Sequence, residues 1–210
     1  MGYLLSHLIS TPLTDPALRF SISGMRLKLI IMLFALLLGS VATYQDVHAD
    51  LFVFPDTAGV TGLNTDIEIN GAGNPVIAYQ FNDGGADGDI MFVACTTPDC
   101  ATFNTPVVIE DHPTNLLGSS LDMAITPAGN PVITYYDFNN SDLRFIACTA
   151  VDCSTTTPSI ILDSFGVTGQ SMFMTINSTG FPIISYWDFQ EGGLGVIICT
   201  AVDCSTTTPS

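Results

Sequence analysis

The sequence predicts an all-β protein built from three four-stranded units of about 51 residues each. Three observations lead there. Landmark residues recur in three copies: Gly62, Gly118 and Gly169; Ile69, Ile125 and Ile176; Pro75, Pro131 and Pro182; Tyr79, Tyr135 and Tyr186. Short runs rich in β-branched and aromatic residues alternate with Gly, Pro, Asn and Asp clusters, and no sustained helical period appears after residue 49. A C-x4-C pair closes each copy: Cys95/Cys100, Cys148/Cys153 and Cys199/Cys204. Residues 148–159 and 199–210 are identical, which points to a recent duplication.

Each strand has its own signal, clearest in the second copy. Leu121–Ile125 alternates loosely, and Pro127-Ala128-Gly129-Asn130 then forms a turn cluster. Pro131–Tyr136 is β-branched and aromatic, and Asn139–Asp142 is the next turn. Leu143–Cys148 is a third strand, and Ser159–Leu162 a fourth beyond the cysteine corner. Four strands per unit at this period select the propeller-type blade among all-β arrays. Leu51–Phe54 reads as a fourth-type strand ahead of the first copy, and Ser210 matches Ser159, where a fourth strand begins. Three blades are fewer than the usual four to eight, so an incomplete propeller is expected, completed by further blades or by self-association.

The N-terminus reads separately. Residues 29–38 are uncharged and apolar, Arg26 and Lys28 precede them, and small-residue sites at 40–42 and 47–49 follow. This is the pattern of a secretory signal peptide, with Met25 as the better start and residues 1–24 as an over-extended leader. The run is short of the roughly 20 residues of a membrane span, although an uncleaved anchor is the competing reading. The N-myristoylation match at Gly2 and Ser6 conflicts with a downstream export signal. The expected domains are a leader over 1–49 and a repeat domain over 50–210, with units near 60–111, 112–163 and 164–210. The expected location is extracellular or periplasmic.

Charge narrows the function. The chain has four Lys and Arg against 20 Asp and Glu. Three of the four bases precede residue 50, which leaves Arg144 against 18 acids. Nucleic acid is excluded as a partner, because binding it requires a basic surface. Behind a signal peptide the six cysteines read as local disulfides, Cys95–Cys100, Cys148–Cys153 and Cys199–Cys204. Zinc is disfavoured for want of histidine partners.

The segment Ser120–Ile125, Gly129–Asp137 and Asp142-Leu143-Arg144 resembles the repeat of secreted bacterial β-propeller proteins, loosely grouped with sialidase-like propellers. The resemblance covers residues 60–210 and implies the blade fold. The first copy departs from it: Gln80 and Phe81 replace the Tyr136-Asp137 pair, and its second turn has three extra residues. Sialidase chemistry needs several arginines on a sugar carboxylate, and only Arg144 remains. The resemblance therefore comes without the sialidase catalytic residues.

Other chemistry is thinly represented. After residue 49 there is no lysine for a Schiff base, and His112, expected in an exposed inter-blade loop, is the single histidine without a G-x-S-x-G elbow. Tyr136-Asp137 and Trp187-Asp188 repeat an aromatic-Asp pair that reads as a hairpin element or as a ligand-binding rim. Paired carboxylates keep a glycoside hydrolase or polysaccharide lyase open as the alternative, alongside a truncated fragment with no independent function. The loop Asp83-Gly84-Gly85-Ala86-Asp87-Gly88-Asp89 is either an enlarged turn or a weak Ca²⁺ site through Asp83, Asp87 and Asp89. No other cofactor is expected. The sequence reading is a non-enzymatic extracellular binding or adhesion module, with a glycan or a protein as its unknown ligand.

Overall fold

A computed structural model describes residues 53–82, 88–112 and 114–208. The predicted leader lies outside the described residues. Eleven strands and no helix appear among the described residues: β1 (Val60–Ile69), β2 (Pro75–Asn82), β3 (Asp89–Ala94), β4 (Val107–Glu110), β5 (Leu117–Ile125), β6 (Pro131–Asp137), β7 (Asp142–Ala147), β8 (Ile160–Asp163), β9 (Thr168–Ile176), β10 (Pro182–Asp188) and β11 (Gly193–Ile198). They form three antiparallel sheets, β1-β2-β3-β4, β5-β6-β7-β8 and β9-β10-β11, each in sequential order. These are blades 1, 2 and 3. Blade 3 shows three of its four predicted strands, and the counterpart of Ser159, Ser210, lies outside the described residues.

The turns explain the strand boundaries. After each first strand an Asn or Thr side chain closes a tight turn. Asn70 Oδ1 accepts from the Ala72 and Asn74 amides, Thr126 Oγ1 from Asn130, and Asn177 Oδ1 from Thr179 and Phe181. Gly73, Gly129 and Gly180 take the left-handed position there, at φ 82°, 88° and 89°. At the far corner all three disulfides form as expected, each with a Cα–Cα separation of 4.9 Å. Cys100, Cys153 and Cys204 sit at φ 53–54°, a conformation the local bridge helps to hold. Asp99, Asp152 and Asp203 accept from the amide two residues on, and Thr pairs 96/102, 149/155 and 200/206 hydrogen bond across the corner. Each small loop removes about 2 kcal/mol of unfolded-chain entropy. Disulfides fit an oxidising compartment.

Strand alternation gives the middle blade two apolar faces. Ile133, Tyr135 and Ile146 pack on Val76, Ala78, Ile90 and Phe92 of blade 1. Val132, Tyr136, Leu143 and Phe145 pack on Met172, Ile184 and Tyr186 of blade 3. The first strands β1, β5 and β9 are neighbours across the blades. Asp66 Oδ2 accepts from the Met123 amide at 2.7 Å, and the repeat counterpart Asp122 accepts from the Met174 amide.

Glycine sets the closest approach of blades. A Cβ on Gly169 (φ 92°) would lie 2.9 Å from Leu143 Cβ of blade 2. Gly118 (φ 70°) receives Ile90 of blade 1 in the same way. Gly73→Ala meets open space and suffers only the left-handed backbone, at about 1 kcal/mol. Gly169→Ala adds a clash with a blade backbone, and we expect about 3 kcal/mol lost in urea unfolding. Equal losses for the two would show that the blade contact is not tight.

Candidate functional site

The aromatic-Asp pairs separate into two roles. Asp137 ends β6 with no exposure to solvent. Its carboxylate accepts from Asn115 Nδ2 at 3.3 Å to each oxygen, from the Asn140 amide at 3.2 Å and from Asn140 Nδ2 at 2.8 Å. Arg144 Nη1 lies 3.6 Å from it. Asp188 is also buried and accepts from the Glu191 amide at 3.0 Å. Both carboxylates thus anchor the turn after the second strand. The aromatic partners face the other way, because successive strand residues point to opposite faces. Tyr136 meets Phe138 edge-on at 6.2 Å, and Trp187 meets Phe189 edge-on at 5.5 Å.

Tyr136 and Phe138 form one wall of a groove of about 340 Å³ between blades 2 and 3. Ser119 and Ser120 of β5 and Gln170 and Ser171 of β9 line the rest. The first strands are irregular here. Pairing shifts between Leu117 and Leu121 and again between Ser185 and Trp187, and Ser171 has φ 51°. Such bulges re-aim side chains, which brings hydroxyls and an amide opposite the aromatic wall. Gln80 stands in the Tyr136 column, donates to the Leu117 carbonyl at 2.7 Å and accepts from Asn64 Nδ2 at 2.9 Å. Trp187 is 43% exposed on the outer face of blade 3.

A second polar cluster was missed by sequence reasoning. Tyr79 donates to Asp56 at 2.7 Å and Tyr186 to Asp163 at 2.6 Å. Each bond ties a second-strand tyrosine to the acid ahead of its blade. Burial, then the carboxylate beside it, pushes both phenols well above their ordinary range. In blade 2 the acid is Glu110, because Glu110 pairs with Ile90 as Asp163 pairs with Leu143. Counting back six residues from Gly118, the spacing of the other copies, lands on His112 instead. Two added connector residues hide the match. Glu110 accepts from Ser159 Oγ at 2.7 Å, and Ser159 accepts from Arg144 Nη2 at 3.0 Å. Tyr135 lies fully buried beside Ser159 and Arg144, with a hydroxyl that makes no well-formed hydrogen bond.

Arg144 therefore spans from Asp137 to Ser159 inside the blade 1–blade 2 interface, at 20% side-chain exposure. Its function is to neutralise acid there. His112 lies in an inter-blade loop as expected but is half-buried, and its buried Nδ1 has no partner among the described residues. Asp83 and Asp87 lie outside the described residues, while Asp89 opens β3 opposite Phe81. No cluster of three metal-ligating side chains occurs among the described residues. No described helix is long and apolar enough to cross a membrane.

No protein-family profile matches the chain, and no curated protein matches it. Among solved structures, the chain is similar to a fucose lectin from Kordia zhangzhouensis in complex with methyl-fucoside. The TM-score is 0.43 at 10% identity, covering 69% of this chain and 95% of the lectin. The likeness is too distant to assign a ligand.

Two outcomes follow from the electrostatics. Burial pushes the Asp122 carboxyl up to about 6; the Met174 amide opposes that shift, and the Asp66 and Glu68 charges add to it. A raised folded-state value means the folded chain binds the extra proton. This stability is present below the ordinary carboxylate range and lost as pH rises through about 6. Asp122→Asn keeps an acceptor for Met174, so we expect it to flatten the melting temperature between pH 4 and 7. An unchanged pH profile would refute the assignment. Arg144→Ala leaves two acids facing a buried gap, and we expect about 3 kcal/mol lost in urea unfolding. A loss under 1 kcal/mol would make the arginine incidental.

Proposed function

We propose that this chain is a secreted, non-enzymatic module that binds a neutral carbohydrate in the groove between blades 2 and 3. The groove itself is the supporting observation. The exposed Phe138 ring and the edge of the largely buried Tyr136 share about 340 Å³ with Ser119, Ser120, Gln170 and Ser171, within the range of small-molecule sites. A sugar ring presents C–H faces that pack on aromatic rings and hydroxyls that exchange hydrogen bonds with serine and amide groups. The acid excess of the chain disfavours anionic glycans, since no described cation lines the groove.

One further observation favours binding over hydrolysis. Hydrolysis of a glycosidic bond uses a pair of carboxyls flanking it. Asp137 and Asp188 are the carboxyls of the repeated pair, and both are buried in turn hydrogen bonds. The disulfides suit an oxidising destination, in keeping with export.

Titration calorimetry against a panel of neutral mono- and disaccharides tests the proposal. We expect at least one ligand to bind, with affinity reduced tenfold or more by Phe138→Ala and by Gln170→Ala. Trp187→Ala, outside the groove, is the matched control. Binding that ignores the first two variants would overturn the site. Release of reducing ends from any polysaccharide would replace the binding reading with the glycosidase one.

A further inference from the structure

The two internal blade contacts share one pattern, and the outer faces carry its two halves unpaired. Ile90 of β3 seats against Gly118 at the start of blade 2, and Leu143 of β7 seats against Gly169 at the start of blade 3. Both side chains are fully buried. The next member of the series is Leu194 of β11, and it is 78% exposed. The first glycine of the series is Gly62, and among the described residues its Cβ direction meets only Thr65 Cγ2, at 3.7 Å. Around Gly62 lies a hollow of about 130 Å³ lined in part by Ile77, Tyr79 and Val93. One protruding side chain and one vacant socket thus stand at opposite ends of the same array.

The surrounding surfaces match in the same register. On blade 3, Trp187, Val196 and Ile198 occupy the columns of Tyr136, Phe145 and Ala147, which blade 2 buries against its neighbour. On blade 1, Ile67 and Ile77 occupy the columns of Met123 and Ile133, which blade 2 buries on its other face. Ile67 is 58% exposed and Val196 51%. The polar contacts also adjust. Asp66 and Asp122 reach the amide of the following blade, but Phe173 holds that column in blade 3. The amide it would have served, that of Ile67, is already capped by Asp66 Oδ1 at 2.8 Å. Moreover, β11 is an edge strand among the described residues.

We infer that blade 3 of one copy packs on blade 1 of a second copy, with Leu194 seated over Gly62. The contact is heterologous, because the two surfaces differ. Two copies of the three described blades, joined reciprocally, give six blades, inside the usual range of four to eight, whereas three copies would give nine. The surface continues the blade interface already present twice within the chain. This is independent of the carbohydrate groove, which one chain supplies by itself.

Light scattering on the full chain, across a hundredfold range of concentration, tests the inference. We expect twice the mass of one chain. Leu194→Asp and Ile67→Arg, both at exposed positions, should each give folded monomers, with far-UV circular dichroism as the check on folding. Mixing the two variants should restore the dimer, because one interface is then wild type and the other pairs Asp with Arg. A monomeric wild-type chain would overturn the inference. So would a series of higher masses, or a dimer broken by Leu194→Asp alone, which would mean two blade 3 faces meeting each other.

Discussion

The fit of a leucine or isoleucine against a glycine of the following blade is the contact on which the array depends. It sets how near two sheets can come, and the apolar side chains of both faces then fill the space between them. A left-handed glycine is needed twice over at Gly118 and Gly169, once for the backbone bend and once for the missing Cβ. Close packing makes such a contact intolerant of even one added carbon. The aspartate bonds from Asp66 and Asp122 lie across the first strands and hold the same spacing from the other side.

That spacing also creates the groove. Between blades 1 and 2 the space is taken by Gln80, which satisfies its amide on Leu117 and Asn64. Between blades 2 and 3 the same column carries Tyr136, whose rigid ring packs on Phe138 and leaves room beside it. The same column thus carries a buried Gln80 at one interface and a buried Tyr136 beside a groove at the other. Asp137, next along the strand, serves the opposite face and steadies the turn from which Phe138 projects.

Acid sits at the blade junctions, where a carboxylate ahead of blades 1 and 3 tethers the second-strand tyrosine. In blades 1 and 3 the tether is a short aspartate bond to a single phenol. In blade 2 the longer Glu110 reaches Ser159 instead, and Arg144 joins that pair to Asp137. The lone cation after residue 49 thus balances charge between blades, and the charged groups on the surface of the described residues are acids. An acidic, cation-poor surface repels anionic ligands.

The blade count, the strand order and the three disulfides were legible in the sequence, because they rest on period, alternation and local spacing. Tyr136 and Asp137 were also visible as a pair, yet their roles were not, since adjacent strand residues face opposite sides and only packing says what each side meets. The partnership of Glu110, Ser159 and Arg144 spans 49 residues and is masked by two added residues in a connector. No repeat alignment by spacing could have recovered it. The groove depends on Gln170 and Ser171 of one blade meeting Tyr136 of another, a distance in the chain that only the approach of two sheets removes. Local chemistry determined the strands and corners, and the tertiary structure decided which faces were filled, which stayed open and where the charge came to rest.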